Sequence, residues 1–233
     1  MIKAFIANIE KYNEGELCGE WFKLPATQEE MKALFARIGV DGVLCQDYII
    51  TGYENSLAGM HNLSKYEWIN DLNYLASLLS EMNEAELVKF EAAAVYGDNN
   101  AGSHELINLA QNLDCYDYLP GVRDEDDLGR YVLGDKMSGE IPEWLTGYTD
   151  YDEYGRDVSI SEGGEFIKGG YICRNDERFI EHYDGLQAPK AYRIFAYPDP
   201  PEKMPIKAQL EMYGKMVSYQ IAERPAPARD ERA

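Results

Sequence analysis

The chain holds three histidines, and one of them opens a pattern similar to that of zinc proteases. His104 and Glu105 begin His-Glu-x-x-His, but Asn108 occupies the position of the second histidine. Because two imidazoles must face the metal one helical turn apart, this kind of zinc site is excluded. The four cysteines, at positions 18, 45, 115 and 173, form no Cys-x-x-Cys pair and are interpreted as ordinary thiols.

A calcium-binding loop is the second candidate site that the residue spacing suggests. Asp150, Asp152 and Gly155 match the first, third and sixth positions of an EF-hand loop. The fifth position is Tyr154, however, and the twelfth is Ser161 in place of the glutamate that binds calcium with both oxygens. We therefore expect no tight calcium site and no bound metal.

The sequence lacks the patterns typical of cofactor and nucleophile chemistry. It contains no glycine-rich phosphate loop, no dinucleotide-binding fingerprint and no Gly-x-Ser-x-Gly elbow. A glycosidase-like pair of carboxylates stays open, because the sequence does not fix the distance between two carboxylates and offers 42 of them. We expect a protein that needs no cofactor and is not an enzyme.

Negative charge is the most pronounced feature of the sequence. The 233 residues carry a formal charge of −20, and residues 66–165 hold 23 acidic residues against 5 basic ones. Residues 173–233 hold 10 of each, so none of the excess lies there. Such a charge repels nucleic acid and speeds encounter with basic surfaces, although acidic residues also simply keep proteins soluble. The expected partner is positively charged.

The elements that must position these carboxylates begin with a small α+β unit. Residues 2–9 and 16–24 alternate around turn residues and are predicted to form a hairpin. A helix is predicted over 28–38, because Thr27 and Glu30 form a capping box before it and a glycine follows it. A third strand over 46–53 is expected beside the hairpin.

The middle of the chain has a helical period. Apolar residues repeat at three and four positions from Trp68 to Leu79, which predicts an amphipathic helix. Asn83 is a cap signal for a second helix that ends near Gly97, and Ser103 is a cap signal for a third. A small helical bundle is therefore expected.

The last part returns to mixed structure. Asp124–Asp127 would lie in the first turn of a helix, where the positive end of its dipole favours carboxylates. Strand-like segments at Val158–Ile160 and Glu165–Ile172 predict a second α+β unit, and Tyr192–Ala196 predicts a further strand. The expected α+β chain has an N-terminal α+β domain (1–58), a helical bundle (59–113), a C-terminal α+β dimerisation domain (114–175) and an extension with a flexible tail (176–233).

Tyrosines recur every three residues at 148, 151 and 154 through an acidic segment. The spacing is typical of a half-buried helical or turn face. The alternative is an amphipathic surface on which the rings pack inward and the intervening carboxylates face outward. The two interpretations are compatible.

Several segments of the chain have distinctive sequences. Phe5–Pro25 is FIANIEKYNEGELCGEWFKLP, and Leu119–Val122, Asp127–Tyr131, Gly139–Pro142 and Tyr151–Asp157 follow it. The first segment resembles the opening of the ArdA antirestriction proteins, and the last two resemble the C-terminal signature of that family. The likeness covers residues 2–172.

This resemblance implies an elongated three-domain homodimer that mimics bent DNA and occupies the DNA-binding groove of type I restriction-modification enzymes. It further implies a cytoplasmic bacterial protein carried on mobile genetic elements, without direct nucleic acid binding. The sequence itself agrees with the location, since it shows no apolar run of membrane-spanning length and no secretory pattern. The candidate DNA-mimic carboxylates are Asp114, Asp117, Asp124, Glu125, Asp126, Asp127, Glu140, Glu143, Asp150, Asp152, Glu153 and Asp157, and the candidate signature and dimerisation residues are Tyr148, Tyr151, Tyr154, Gly155 and Arg156.

Two other hypotheses stay open beside the DNA mimic. The chain could be an acidic adaptor or chaperone for a different basic protein, or a carboxylate-dependent hydrolase. Competition with duplex DNA for a restriction enzyme separates the mimic from the adaptor. Substrate turnover that a single Asp or Glu substitution abolishes would establish the hydrolase.

Overall fold

The computed structural model describes residues 2–40, 48–55, 57–136 and 148–195. These residues form helices and two antiparallel three-stranded sheets, which confirms the α+β class. None of the helices in this part of the chain is long and apolar enough to cross a membrane.

The N-terminal unit is a sheet with one helix against it. The strands β1 (Ile2–Asn8), β2 (Gly19–Leu24) and β3 (Tyr48–Asn55) are antiparallel, and β1 lies in the centre. The five-residue helix α1 (Ile9–Asn13), which the sequence did not predict, joins β1 to β2. The helix α2 (Gln28–Ile38) has the predicted bounds, with the predicted capping box at its start and a left-handed glycine after it.

Three helices follow: α3 (Ile69–Glu81), α4 (Glu84–Tyr96) and α5 (Ser103–Ala110). The capping box of α4 joins Asn83 and Glu86 as predicted, and Gly97 ends the helix at a φ of 100°. The predicted cap at Ser103 is wrong. Ser103 is the first residue of the helix, and its hydroxyl donates to the Glu67 carboxylate instead of accepting a hydrogen bond from a helix N–H.

The third part contains a 3-10 turn (Leu113–Cys115), β4 (Tyr116–Pro120), α6 (Glu125–Lys136), α7 (Tyr151–Glu162), β5 (Glu165–Ile167) and β6 (Gly170–Arg174). The strand β6 lies between β4 and β5. The predicted strand at Val158–Ile160 is wrong, because these residues continue α7, in which Val158 is buried and Ile160 is 73% exposed.

Residues 176–195, here called the strap, run mostly without regular structure apart from a 3-10 turn (Lys190–Tyr192). The predicted strand over Tyr192–Ala196 is wrong as far as the described residues reach, to Phe195. Its backbone binds a side chain instead of a neighbouring strand: Asn70 Oδ1 accepts hydrogen bonds from the Ile194 and Phe195 N–H groups, each at 2.9 Å.

One continuous core extends from Ile2 to Ile194 and includes residues from the sheet of the N-terminal unit, α2–α5 and the strap. A second, smaller cluster lies under α6 and α7 and contains Val122, Leu128, Val158, Tyr171 and Cys173. Residues predicted to belong to the first two domains therefore pack into the same core. The bounds of the four domains themselves stay a prediction.

The helices α6 and α7 touch through their backbones. A Cβ placed on Gly129 would overlap the Tyr151 carbonyl group, and a Cβ placed on Gly155 would overlap the Glu125 carbonyl group. As α6 advances from 125 to 129, its contacts on α7 move from 155 back to 151, so the helices run antiparallel. Any side chain at either glycine would force them apart.

Substitution Gly155→Ala should lower the free energy of unfolding by ~1–3 kcal/mol, because an added methyl group meets rigid backbone in a packed interface. The matched control is Gly134→Ala in α6, where a Cβ meets no atom of the described residues within 4 Å. That change should be neutral or stabilising by up to ~1 kcal/mol, since alanine favours a helix over glycine. Urea unfolding measures both, and equal stability of the two variants would contradict the close crossing.

Candidate functional site

The candidate site is the pair of crossing helices α6 and α7 with their capping residues, here called the acidic helix pair. Acidic residues fill the first turn of α6 at Glu125, Asp126 and Asp127, and the first turn of α7 at Asp152 and Glu153. Residue 125 lies against residue 155 and residue 129 against residue 151, so the first turns of the two antiparallel helices lie side by side at the crossing. The two acidic turns therefore share one support.

Two of the predicted carboxylates have a structural task as helix caps. Asp124 Oδ1 accepts a hydrogen bond of 2.9 Å from the Asp127 N–H, and Asp150 Oδ1 accepts one of 3.0 Å from the Glu153 N–H. Each satisfies a donor that the helix leaves unpaired, at the end where the helix dipole favours negative charge. This explains how the chain tolerates acidic residues at these positions.

Three other carboxylates are paired with arginines one helical turn away. Asp126 binds the Arg130 guanidinium through two hydrogen bonds of 2.5 and 3.1 Å. The bridge from Arg123 to Asp127 measures 3.0 Å, and the one from Arg156 to Asp152 measures 2.6 Å. Hydrogen bonds from Arg123 hold the pKa of the Asp127 carboxyl below its usual value. These pairs reduce the negative charge of the surface.

The carboxylates that remain without a basic partner in the described part of the chain are the ones that can face a binding partner. They are Asp124, Glu125, Asp150, Glu153 and Asp157. All five lie at the surface, four of them exposed and Glu125 half-buried. The acidic helix pair thus presents a set of unneutralised charges on one rigid support.

Aromatic packing fixes the start of α7. Tyr151 is 4% exposed, and the Arg130 guanidinium lies 4.1 Å from the centre of its ring, which adds a cation–π contact between the helices. Tyr154 packs against the second core cluster. These two rings face inward while Asp152, Glu153 and Asp157 face outward, whereas Tyr148 is 87% exposed and does not follow this pattern.

The remaining predicted site residues lie elsewhere. Asp114 is in the 3-10 turn and Asp117 is in β4, and both are exposed. The Asn175 side chain donates to the Asp114 carbonyl at 2.7 Å and to Asp117 Oδ1 at 3.2 Å. Glu140 and Glu143 lie outside the described residues.

The interhelical contact partners were missed from the sequence. Gly129 and the arginines Arg123 and Arg130 were not singled out, although they decide the geometry and net charge of the site. The available signal for Gly129 was a glycine inside a helical pattern, which commonly has a packing reason. The arginines stand four residues from their aspartates, the spacing of helical ion pairs.

Metal binding finds no support in the described residues, among which no group of three or more His, Cys, Asp or Glu side chains is arranged to hold an ion. His104 Nε2 is instead 2.8 Å from the Tyr183 carbonyl oxygen and 3.3 Å from Glu181 Oε1. Asn108, in the position where a zinc protease would have its second histidine, donates to the same carbonyl at 2.8 Å. Both residues hold the strap.

The sequence model of the family described as antirestriction protein (ArdA) matches residues 4–173. The chain belongs to the ArdA antirestriction protein family. The match includes the whole acidic helix pair and ends at β6, so the strap lies beyond it. No curated protein matches the chain.

The cap and the charge of Asp124 can be separated by experiment. Asp124→Ala removes the acceptor of the Asp127 N–H and should lower the free energy of unfolding by ~0.5–2 kcal/mol. Asp124→Asn keeps an oxygen acceptor and should stay within a few tenths of a kcal/mol of the unsubstituted protein. Thermal unfolding compares the two. If Asn destabilises as much as Ala, the side-chain cap is not what the carboxylate provides.

Proposed function

We propose that this ArdA-family antirestriction protein inhibits type I restriction-modification enzymes by mimicking duplex DNA and occupying the DNA-binding groove of the methyltransferase core. The observation that supports this most is the set of unpaired carboxylates that the acidic helix pair presents at its surface. A basic groove that binds phosphates would bind these carboxylates by the same attraction. No chemical reaction is part of this activity.

The physical demand on a DNA mimic is a row of charges and not a single cluster. Duplex DNA carries one negative charge per roughly 1.7 Å of its axis. Side chains three or four residues apart on a helix lie about 5–6 Å from one another, so acidic residues on two helices supply a series of separated charges. The excess of 23 acidic over 5 basic residues in 66–165 agrees with this demand.

Electrostatic recognition of this kind depends on salt. Exposed charges attract across about 8–10 Å at physiological ionic strength and over shorter distances at higher salt. Inhibition should therefore weaken as salt rises, mainly through slower association. An adaptor for another basic protein would share this behaviour, so the identity of the partner must be tested by competition with DNA.

A triple substitution tests whether the acidic helix pair carries the inhibition. Glu125→Gln, Glu153→Gln and Asp157→Asn together remove three charges without removing a cap or an arginine pair. If each exposed contact contributes ~0.2–1 kcal/mol, the inhibition constant should rise roughly 3- to 140-fold. A titration of type I endonuclease activity measures it.

The control for this variant removes the same number of charges from the strap, through Asp176→Asn, Glu177→Gln and Asp184→Asn. These residues lie beyond the family match and should change the inhibition constant less than twofold. Equal weakening by both variants would show an effect of net charge alone. Complete loss of inhibition through one substitution would instead indicate a local hot spot or a catalytic residue.

We further propose a homodimer formed by the region Gly139–Ile172, in a bacterial cytoplasm. In the described part of that region, Tyr148 and Ile160 expose 87% and 73% of their surfaces, which supports an apolar contact. We propose the division of the chain into three domains and an extension together with this homodimer.

Light scattering tests the dimer, and the expected mass is twice the 26.5 kDa of one chain. Ile160→Glu should shift the mass towards that of the monomer, because it places a charge in the proposed contact. Leu186→Glu, at a strap residue that is 85% exposed, should leave the dimer intact. A monomeric unsubstituted protein, or an equal effect of both variants, would contradict this interface.

A further inference from the structure

Asn73 on α3 joins three parts of the chain. Its Oδ1 accepts a hydrogen bond of 2.8 Å from the Ala26 N–H, in the connection between β2 and α2. Its Nδ2 donates at 2.9 Å to the Tyr192 carbonyl oxygen of the strap. Asn73 is 2% exposed, and its partner residues Ala26 and Tyr192 are half-buried. A single buried amide therefore links the N-terminal unit, α3 and the strap.

The end of the strap also contacts the N-terminal unit directly. The Phe195 ring lies 5.1 Å from the Phe35 ring of α2 and 5.8 Å from the Tyr48 ring of β3, both in edge-to-face geometry. Gln28 Nε2 donates to the Arg193 carbonyl oxygen at 3.0 Å. Asn70 on α3 holds the same strap residues through their backbone.

The beginning of the strap is held by α5, by Asn112 just after α5, and by α3, where Asp71 Oδ1 accepts a hydrogen bond of 2.7 Å from the Tyr183 hydroxyl. Asn112 accepts from the Ile180 N–H and donates to the Ile180 carbonyl oxygen, both at 2.8 Å. Asn108 accepts from the His182 and Tyr183 N–H groups at 2.8 and 2.9 Å. Asparagine amides thus satisfy the strap backbone as a neighbouring strand would, which accounts for an ordered segment without strand pairing.

We propose that the strap is a positioning element that fixes the N-terminal unit (residues 2–40 and 48–55) against α3, with Asn73 as the main positioning residue. The strap begins after the region matched by the family model, so it is an addition to the matched region. Its buried residues Tyr183, Ala188 and Ile194 belong to the same core as the N-terminal sheet. A chain that ended at Asn175 would leave the polar side chains Asn70, Asn73, Asn108 and Asn112 without these partners.

The consequence for inhibition rests on the proposed function. A rigid mimic pays less conformational entropy when it binds than one whose parts move independently. By locking the N-terminal unit onto the helices, the strap would fix the reach of the inhibitor along the enzyme groove. The structural part of the proposal does not depend on this consequence and is measured separately.

The test compares Asn73→Ala with Asn112→Ala by hydrogen–deuterium exchange of the full chain. Both asparagines are 2% exposed and both bind the strap backbone, so they are matched in burial and chemistry. Asn73→Ala should speed exchange at least tenfold at residues 26–31 as well as at 192–195. Asn112→Ala should speed it at 180–183 and leave residues 26–31 unchanged. The proposal is overturned if Asn73→Ala affects the strap alone, or if both variants affect residues 26–31 equally.

Two further variants secure the result. Asn73→Asp keeps an acceptor for the Ala26 N–H but loses the donor to the Tyr192 carbonyl oxygen. The exchange rate should therefore rise more at residues 192–195 than at residues 26–31. If Asn73→Ala does not fold, Phe195→Ala removes the contact of the Phe195 ring with the Phe35 and Tyr48 rings without changing α3. It should speed exchange of the backbone amides of Phe35 and Tyr48, and unchanged exchange at both amides would contradict the strap's role. Inhibition of a type I enzyme is measured in parallel with the same variants. Faster exchange with unchanged inhibition overturns only the consequence for inhibition. If the unsubstituted chain does not inhibit the enzyme, the proposed function is overturned instead.

Discussion

The crossing of α6 over α7 is the contact on which the acidic surface depends. Glycine at 129 and at 155 lets each helix backbone approach the carbonyl groups of the other. Side chains at these positions would separate the helices, and the carboxylates on them would no longer share one support. The close approach also places the Arg130 guanidinium of α6 over the Tyr151 ring at the start of α7. The helix α6 therefore holds the acidic first turn of α7 in place.

Crowded carboxylates must be stabilised locally before they can serve a partner. The structure does this in two ways: helix caps at Asp124 and Asp150, and ion pairs with arginines four residues away at Asp126, Asp127 and Asp152. Exposed ion pairs of this kind contribute little to stability individually. Their value here is that they reduce repulsion between neighbours while leaving other carboxylates unpaired. The protein can therefore fold while this surface stays strongly negative.

Elements with their own local signals were predictable from the sequence, and those that depend on distant partners were not. The helices α2 and α4 have capping boxes at their starts and glycines after their ends, so the residues at each end predicted where the helix begins and stops. The segment Val158–Ile160 has the composition of a strand, but the Asp150 cap and the contact with α6 make it helical. Asn70 and Asn73 resemble ordinary polar positions on an amphipathic helix, because the strap that they bind lies more than a hundred residues away. The carboxylates of the candidate site were predicted from the charge and the family resemblance. The spacing of the arginines and the glycine within a helical pattern were available signals, but the contacts that these residues make depend on the crossing of the two helices.

If this protein and duplex DNA bind the same groove, as proposed, they compete for the enzyme at equilibrium, and a competition titration measures this directly. A fluorescently labelled duplex containing the recognition site is bound to a type I methyltransferase core, and the unlabelled protein is titrated in at two salt concentrations. We expect full displacement of the duplex, with an apparent affinity that falls as salt rises. A ternary complex of enzyme, duplex and this protein at saturation would contradict it.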